Sequence, residues 1–145
     1  MCLGNLGIAI LDGLVNAPTE KSNELPFARY TACVRSANSE KRLSERFAES
    51  LDKISISRGN NVQAVQTADV IILGADPADI EAILVQPGLR EALTDKLIIS
   101  IAAGWTRQKL EIAIYGSATT SDNTAGRAWG VRTLPNIAAQ VSHSL

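Results

Sequence analysis

Aromatic side chains are scarce here, at 4% of 145 residues, and there are only two cysteines and one histidine. A core built on Phe, Tyr and Trp is thereby excluded, and the 46% of hydrophobic residues must pack chiefly as Ala, Val, Ile and Leu. Cys2 and Cys33 have no metal-ligand spacing, and so little cysteine reads as a reduced, cytoplasmic protein without a disulfide framework. His143 lies near the chain end with no Ser/Asp or Cys partner at a readable spacing, so a solvated residue is expected there rather than a general base. Charge of one sign is lacking too: the formal net charge is −1, which gives no basic excess for phosphate backbones and excludes a nucleic-acid partner. No apolar run approaches the roughly 20 residues that span a bilayer. The run Ile8 to Leu11 falls short of the roughly 7–15 residues of a signal-peptide core and has no basic leader. What remains is a soluble chain of single-domain length, able to bury its own core, with no metal site in view.

What is present alternates. Gly4 and Gly7 precede apolar positions Ile8, Leu11 and Leu14 at helical spacing, predicting a turn that runs straight into a helix. Asn16 to Pro26 reads as a loop, and Phe27 to Val34 as a short strand. Ser39 is expected to cap a helix through Leu43, Phe47 and Leu51, with Glu40 in its first turn. Ile54 and Ile56 alternate with serines as in a strand; Gly59, Asn60 and Asn61 form a turn, and Val62 to Thr67 a short helix. Asp69 to Gly74 is a continuous apolar run, as a central parallel strand covered on both faces requires. Helical pieces follow over Ala78 to Leu84 and Gly88 to Leu93, then a strand over Leu97 to Ile101. Thr106 stands where an N-cap would, ahead of Leu110, Ile112, Ala113 and Ile114. Gly116 to Gly126 is a polar loop, and Trp129 to Leu134 a last strand closing at Pro135. Strands alternating with helices predict an α/β fold with a mainly parallel, doubly wound sheet, its right-handed crossovers setting helices on both faces.

Cys2-Leu3-Gly4-Asn5-Leu6-Gly7 reads as a G-x-G-x-x-G turn whose first glycine is replaced by Cys2. In that motif the glycines let backbone amides approach a pyrophosphate, which the helix N-terminus beyond attracts. Where an NAD-selecting domain carries an acidic residue for the ribose 2′-hydroxyl, the second strand here ends in Val34-Arg35-Ser36, with Lys41 and Arg42 behind. A guanidinium and a hydroxyl suit a 2′-phosphate, so NADPH is expected ahead of NADH.

The segments Gly4 to Leu11, Ala32 to Ser36, Gly59 to Gln66, Ala68 to Gly74, Leu97 to Thr106 and Val131 to Asn136 occur in the order found in pyrroline-5-carboxylate reductases. The sequence resembles that family, its fungal branch in particular, along nearly its whole length. The resemblance implies one NADP-binding Rossmann-like domain over 1–145 and NAD(P)H-dependent reduction of 1-pyrroline-5-carboxylate to L-proline, the last step of proline biosynthesis. It implies that Gly4, Asn5, Leu6 and Gly7 line the pyrophosphate, Arg35 and Ser36 the 2′-phosphate, and Asn61 the adenosine side. Gly74, Ala75, Asp76 and Pro77 would border the cofactor, Ala102, Ala103 and Gly104 the nicotinamide, and Asn136 the substrate entrance. No catalytic residue is assigned within the chain.

Departures from the family pattern accompany these matches. The fold is expected to lack its first strand, removing a central sheet member and exposing ladder groups on its neighbours. Asp76 stands where the family has Lys, putting a negative charge beside a polyanion, and Ile137 where it has Thr. The family continues past this point into a helical domain that forms the homo-oligomer and holds the substrate carboxylate with a Ser/Thr-Gly-x-Gly-Pro motif; these 145 residues are expected to be inactive alone. Two further readings stay open: a non-catalytic dinucleotide-binding fragment, and another NADP-dependent reductase of related fold, such as a 3-hydroxyacid dehydrogenase or an F420-dependent NADP reductase. Cys33 is expected in the core, Asp69 and Asp79 at element boundaries, and Trp105 and Trp129 in packing, one partly exposed.

Overall fold

The computed structural model describes residues 5–16, 29–118 and 126–133. Helix α1 (Asn5–Val15) is followed by β1 (Tyr30–Val34), α2 (Ala37–Arg46), a short 3-10 turn (Ala48–Ser50), β2 (Ile54–Arg58) and α3 (Asn61–Gln66). The chain continues through β3 (Val70–Leu73), α4 (Ile80–Leu84), α5 (Leu89–Ala92), β4 (Leu97–Ser100), α6 (Arg107–Tyr115) and β5 (Trp129–Arg132). Among the described residues every strand pairing is parallel, as the βα alternation requires. β1 pairs with β2, and β3, β4 and β5 form a second sheet in that order. In the doubly wound order 3-2-1-4-5-6, β2 and β1 take the places of strands 3 and 2, and β3 to β5 those of 4 to 6. Among the described residues no strand lies between β1 and β3.

Each sheet has its own core. Leu11 of α1, Ala32 and Val34 of β1, Leu43 and Phe47 by α2, and Ile54 of β2 form one cluster. The larger cluster packs Ile71, Leu73 and Ile98 against Ile80, Ile83, Leu84, Leu89, Leu93, Leu110 and Ile114. Two helices reach across. α1 contributes Leu11 to the first core, while its Gly7 approaches Gly74 at the end of β3. α3 touches β1, β2 and α5, and its Val65 belongs to the larger core. That bridging leaves the expected exposure of β1 and β3 unmet at two positions, since Ala32 is 1% and Leu73 0% exposed, whereas Thr31 is exposed and Val70 and Ile72 are half-buried. A second correction concerns the strands themselves. Ile71, Leu73, Ile98 and Ser100 are buried, but Val70, Ile72, Leu97 and Ile99 are only half-buried, so one face is less covered than unbroken apolar runs predict.

The ends of the elements show why they stop. Ser36, not Ser39, caps α2: its Oγ accepts from the Ser39 amide at 3.1 Å with extended dihedrals. Helix α2 therefore starts earlier than Ser39 and ends at Arg46, where Phe47 turns into the 3-10 segment with its ring buried. Leu51, expected on the same apolar stripe, is 50% exposed. Thr106 caps α6 as expected, its Oγ1 accepting from the Lys109 amide at 3.2 Å, and Gly116 ends it in the left-handed region at φ 77°. Cys33 is buried, and Trp105 packs on the larger core, whereas Trp129 is 59% exposed on β5. The loop expected over Asn16 to Pro26, the residues around Pro135, and His143 lie outside the described residues, apart from Asn16 itself.

Candidate functional site

The carboxyl ends of parallel strands are where ligands bind in open α/β sheets, because the loops there diverge to either side. β1 leads into Arg35, β3 into Gly74 to Pro77, and β4 into Ala102 to Gly104. Two parts of a site form at these ends.

The first is a close approach of backbones. A Cβ built on Gly74 would stand 2.8 Å from Ile101 Cδ1 and 3.7 Å from the Cα of Gly7, so only glycine lets the start of α1, the end of β3 and the loop after β4 converge without displacement. Gly7, Ala75 and Ala102 are buried around this junction. Ser100, fully buried, accepts a hydrogen bond from the Ala102 amide at 3.4 Å and shapes the turn. Above it, Trp105 Nε1 donates to the Pro77 carbonyl at 3.0 Å, which ties the β4–α6 loop to the β3–α4 loop. Asp76, Pro77, Ala103 and Gly104 are exposed on this rim. Asp76 Oδ1 accepts from the Ala78 amide at 2.9 Å, so its carboxylate is turned to its own backbone.

The second part is a cavity of about 210 Å³ at the end of β1, lined by Arg35, Asn61, Asp79, Ile83 and Gln86 among others. It is smaller than the roughly 300–1,000 Å³ that whole ligands occupy, and so suits one end of an extended molecule. Asn61, only 8% exposed, donates from Nδ2 to Gln86 Oε1 at 3.2 Å. Arg35 Nη1 donates to Asp79 Oδ2 at 2.6 Å, and these side chains are 73% and 34% exposed. Ser36 borders Arg35 but spends its hydroxyl on the α2 cap, donating to Ser39 Oγ at 2.9 Å. Behind it, Lys41 pairs with Glu45 at 3.9 Å.

The structure thus brings Gly7, Gly74, Ala75 and Ala102 together at the junction, and Arg35 with Asn61 at the cavity. Asn5 opens α1 and Leu6 follows, half-buried. Gly4 and Asn136 lie outside the described residues. Sequence reasoning missed Asp79 and Gln86 as lining groups. Gln86 carries no motif signal, and Asp79 reads as a helix boundary because its partner is 44 residues distant. Among the described residues no group of three His, Cys, Asp or Glu is placed to hold a metal ion, and no helix is long and apolar enough to cross a membrane.

A glycine-lined junction at one pair of strand ends, with an arginine-bearing cavity at the next, suits a phosphate-rich dinucleotide lying across them. Fold and site together define a dinucleotide-binding α/β domain. Residues 1–104 match the family described as NADP oxidoreductase, coenzyme F420-dependent, and the chain belongs to that family of oxidoreductases, which use a nicotinamide dinucleotide. It is also 32% identical to the pyrroline-5-carboxylate reductase of Lophium arboricola, over 98% of this chain and 48% of that protein. Delta-1-pyrroline-5-carboxylate reductase kk1I of Curvularia clavata is 32% identical over 98% of this chain and 45% of its own length. The pyrroline-5-carboxylate reductase of Schizosaccharomyces pombe is 25% identical over 98% and 48%. The chain spans about half the length of these curated relatives. They agree with the resemblance drawn from the motifs.

Proposed function

We propose that this chain is the dinucleotide-holding part of a reductase that uses NADPH, ahead of NADH, to convert 1-pyrroline-5-carboxylate to L-proline. The observation that carries the reading is Arg35 at the end of β1, lining a cavity with the buried amide of Asn61, in a chain matched end to end by relatives of that name. When bound, the nicotinamide supplies the hydride. The chain's own residues bind and orient it. In this reading the amides of Gly4 to Gly7 take the pyrophosphate, Arg35 and Ser36 the 2′-phosphate, and Asn61 the adenosine side. Gly74 to Pro77 and Ala102 to Gly104 flank the nicotinamide end, and Asn136 the substrate entrance. The substrate carboxylate and the homo-oligomer interface are assigned to a helical region beyond these 145 residues. The span of about half the relatives' length favours one second reading, that these residues bind dinucleotide without catalysis.

Thermal shift with NADPH and NADH tests the binding claim. A ligand at a hundredfold its Kd stabilises the folded state by about 2.7 kcal/mol, so the larger shift belongs to the tighter cofactor. NADPH is expected to give it; equal shifts would remove the role of Arg35, and no shift with either would overturn dinucleotide binding. With pyrroline-5-carboxylate and NADPH, the 145 residues alone are expected to show no turnover, and robust NADPH oxidation would refute the assignment of substrate binding elsewhere.

A further inference from the structure

Aspartate at a helix N-cap ordinarily adopts extended dihedrals and accepts a hydrogen bond from the second or third amide of the helix. Asp79 holds the N-cap place of α4 at φ −93° and ψ −14°, a helical conformation, and its carboxylate makes no cap hydrogen bond. Its Oδ2 accepts from Arg35 Nη1 at 2.6 Å instead, across the mouth of the cavity that both residues line. The two come from different halves of the fold: Arg35 follows β1 of the first sheet, and Asp79 lies between β3 and α4 of the second.

We propose that Asp79 is a specificity-determining residue, an internal carboxylate that competes with a ligand's 2′-phosphate for the Arg35 guanidinium and itself suits a 2′-hydroxyl. The inference rests on the reading of Arg35 as the group that meets the 2′-phosphate. A phosphate monoester carries about −1.5 to −2 charges and three acceptor oxygens, so it displaces a single carboxylate from a guanidinium, but against the opposition of that carboxylate. A 2′-hydroxyl has no charge to contest the pair. It is a donor, and a carboxylate beside it accepts, which is how acidic residues favour the unphosphorylated ribose. Arg35 and Asp79 therefore pull the same corner of the cavity toward opposite ligands, and the pair sets a moderate preference where a free arginine would set a steep one. Both side chains are partly in solvent, which screens the competition to the scale of an exposed ion pair.

Calorimetry on the whole 145-residue chain with adenosine 2′,5′-bisphosphate and adenosine 5′-monophosphate tests this. Asp79→Asn is expected to tighten the bisphosphate about fivefold, the upper range for an exposed pair, and to weaken the monophosphate. Asp79→Ala, which removes the carboxylate by a different route, is expected to raise the same ratio, so that a folding defect in one variant does not mimic the result. Unchanged ratios in both variants overturn the proposal while leaving the reading of Arg35 in place. Arg35→Gln is expected to abolish the advantage of the bisphosphate; an advantage that survives it overturns the reading of Arg35, and the role of Asp79 with it.

Discussion

Replacing Gly74 by alanine isolates the close approach of β3 to the loop after β4. Gly74 has no positive φ, so alanine meets no backbone strain there and the effect is purely steric. The new methyl group would stand 2.8 Å from Ile101 Cδ1 and 3.3 Å from its Cγ1, while the contact to the Gly7 Cα at 3.7 Å is ordinary packing. Ile101 must yield, and at 9% exposure it has little free space. An off-rotamer side chain costs about 0.5–1.5 kcal/mol, and an added methyl in a packed site about 1–3. We expect Gly74→Ala to destabilise the chain by about 1.5 kcal/mol, lowering Tm by about 5 °C. Ile101→Val removes Cδ1 and alone costs about 1 kcal/mol. Combined with Gly74→Ala it should recover part of the loss, a coupling of about 1 kcal/mol, because the contact to Cγ1 remains. Urea unfolding of the four proteins measures the cycle. Additivity within about 0.4 kcal/mol would show that the Ile101 clash is not what makes glycine necessary.

Two further expectations concern stability away from the ligand. Thr106→Ala removes the α6 cap and should cost about 1 kcal/mol in denaturant unfolding, with Thr106→Ser restoring most of it. Lys96 Nζ donates to the carbonyls of Gln66 at 3.0 Å and Ala68 at 2.5 Å, closing the end of α3. Lys96→Met, which keeps the aliphatic stem, should lower stability by about 1.5 kcal/mol by the same measurement, and an unchanged midpoint would show that water replaces the ammonium without loss.

How far the sequence was legible depended on the range of each signal. The apolar runs at Val70 to Leu73 and Leu97 to Ser100 needed no partner to be recognised as parallel strands, and Thr106 announced α6 by a bond three residues away. The end of α2 was misplaced because Leu43, Phe47 and Leu51 continue a helical stripe on paper. The chain instead turns at Phe47 to bury that ring, which leaves Leu51 in solvent. Asp79 shows the opposite failure: an acid at a helix start satisfies a local rule, so nothing local betrays that it faces Arg35 from another part of the chain. The strand alternation pointed to one parallel sheet; that the strands pair as two sheets, with Ala32 and Leu73 nonetheless buried, depends on contacts of α1 and α3 that no local signal carries.

That division has a thermodynamic consequence. Two hydrophobic clusters joined by helices rather than by a shared ladder are candidates for separate cooperative units, whose parting requires less free energy than global unfolding. Arg35 follows a strand of one and Asp79 a strand of the other, so a ligand gripping that corner is a clamp between them. Its binding energy then raises the free energy of their separation, and occupancy of the cavity is coupled to the association of the two sheets.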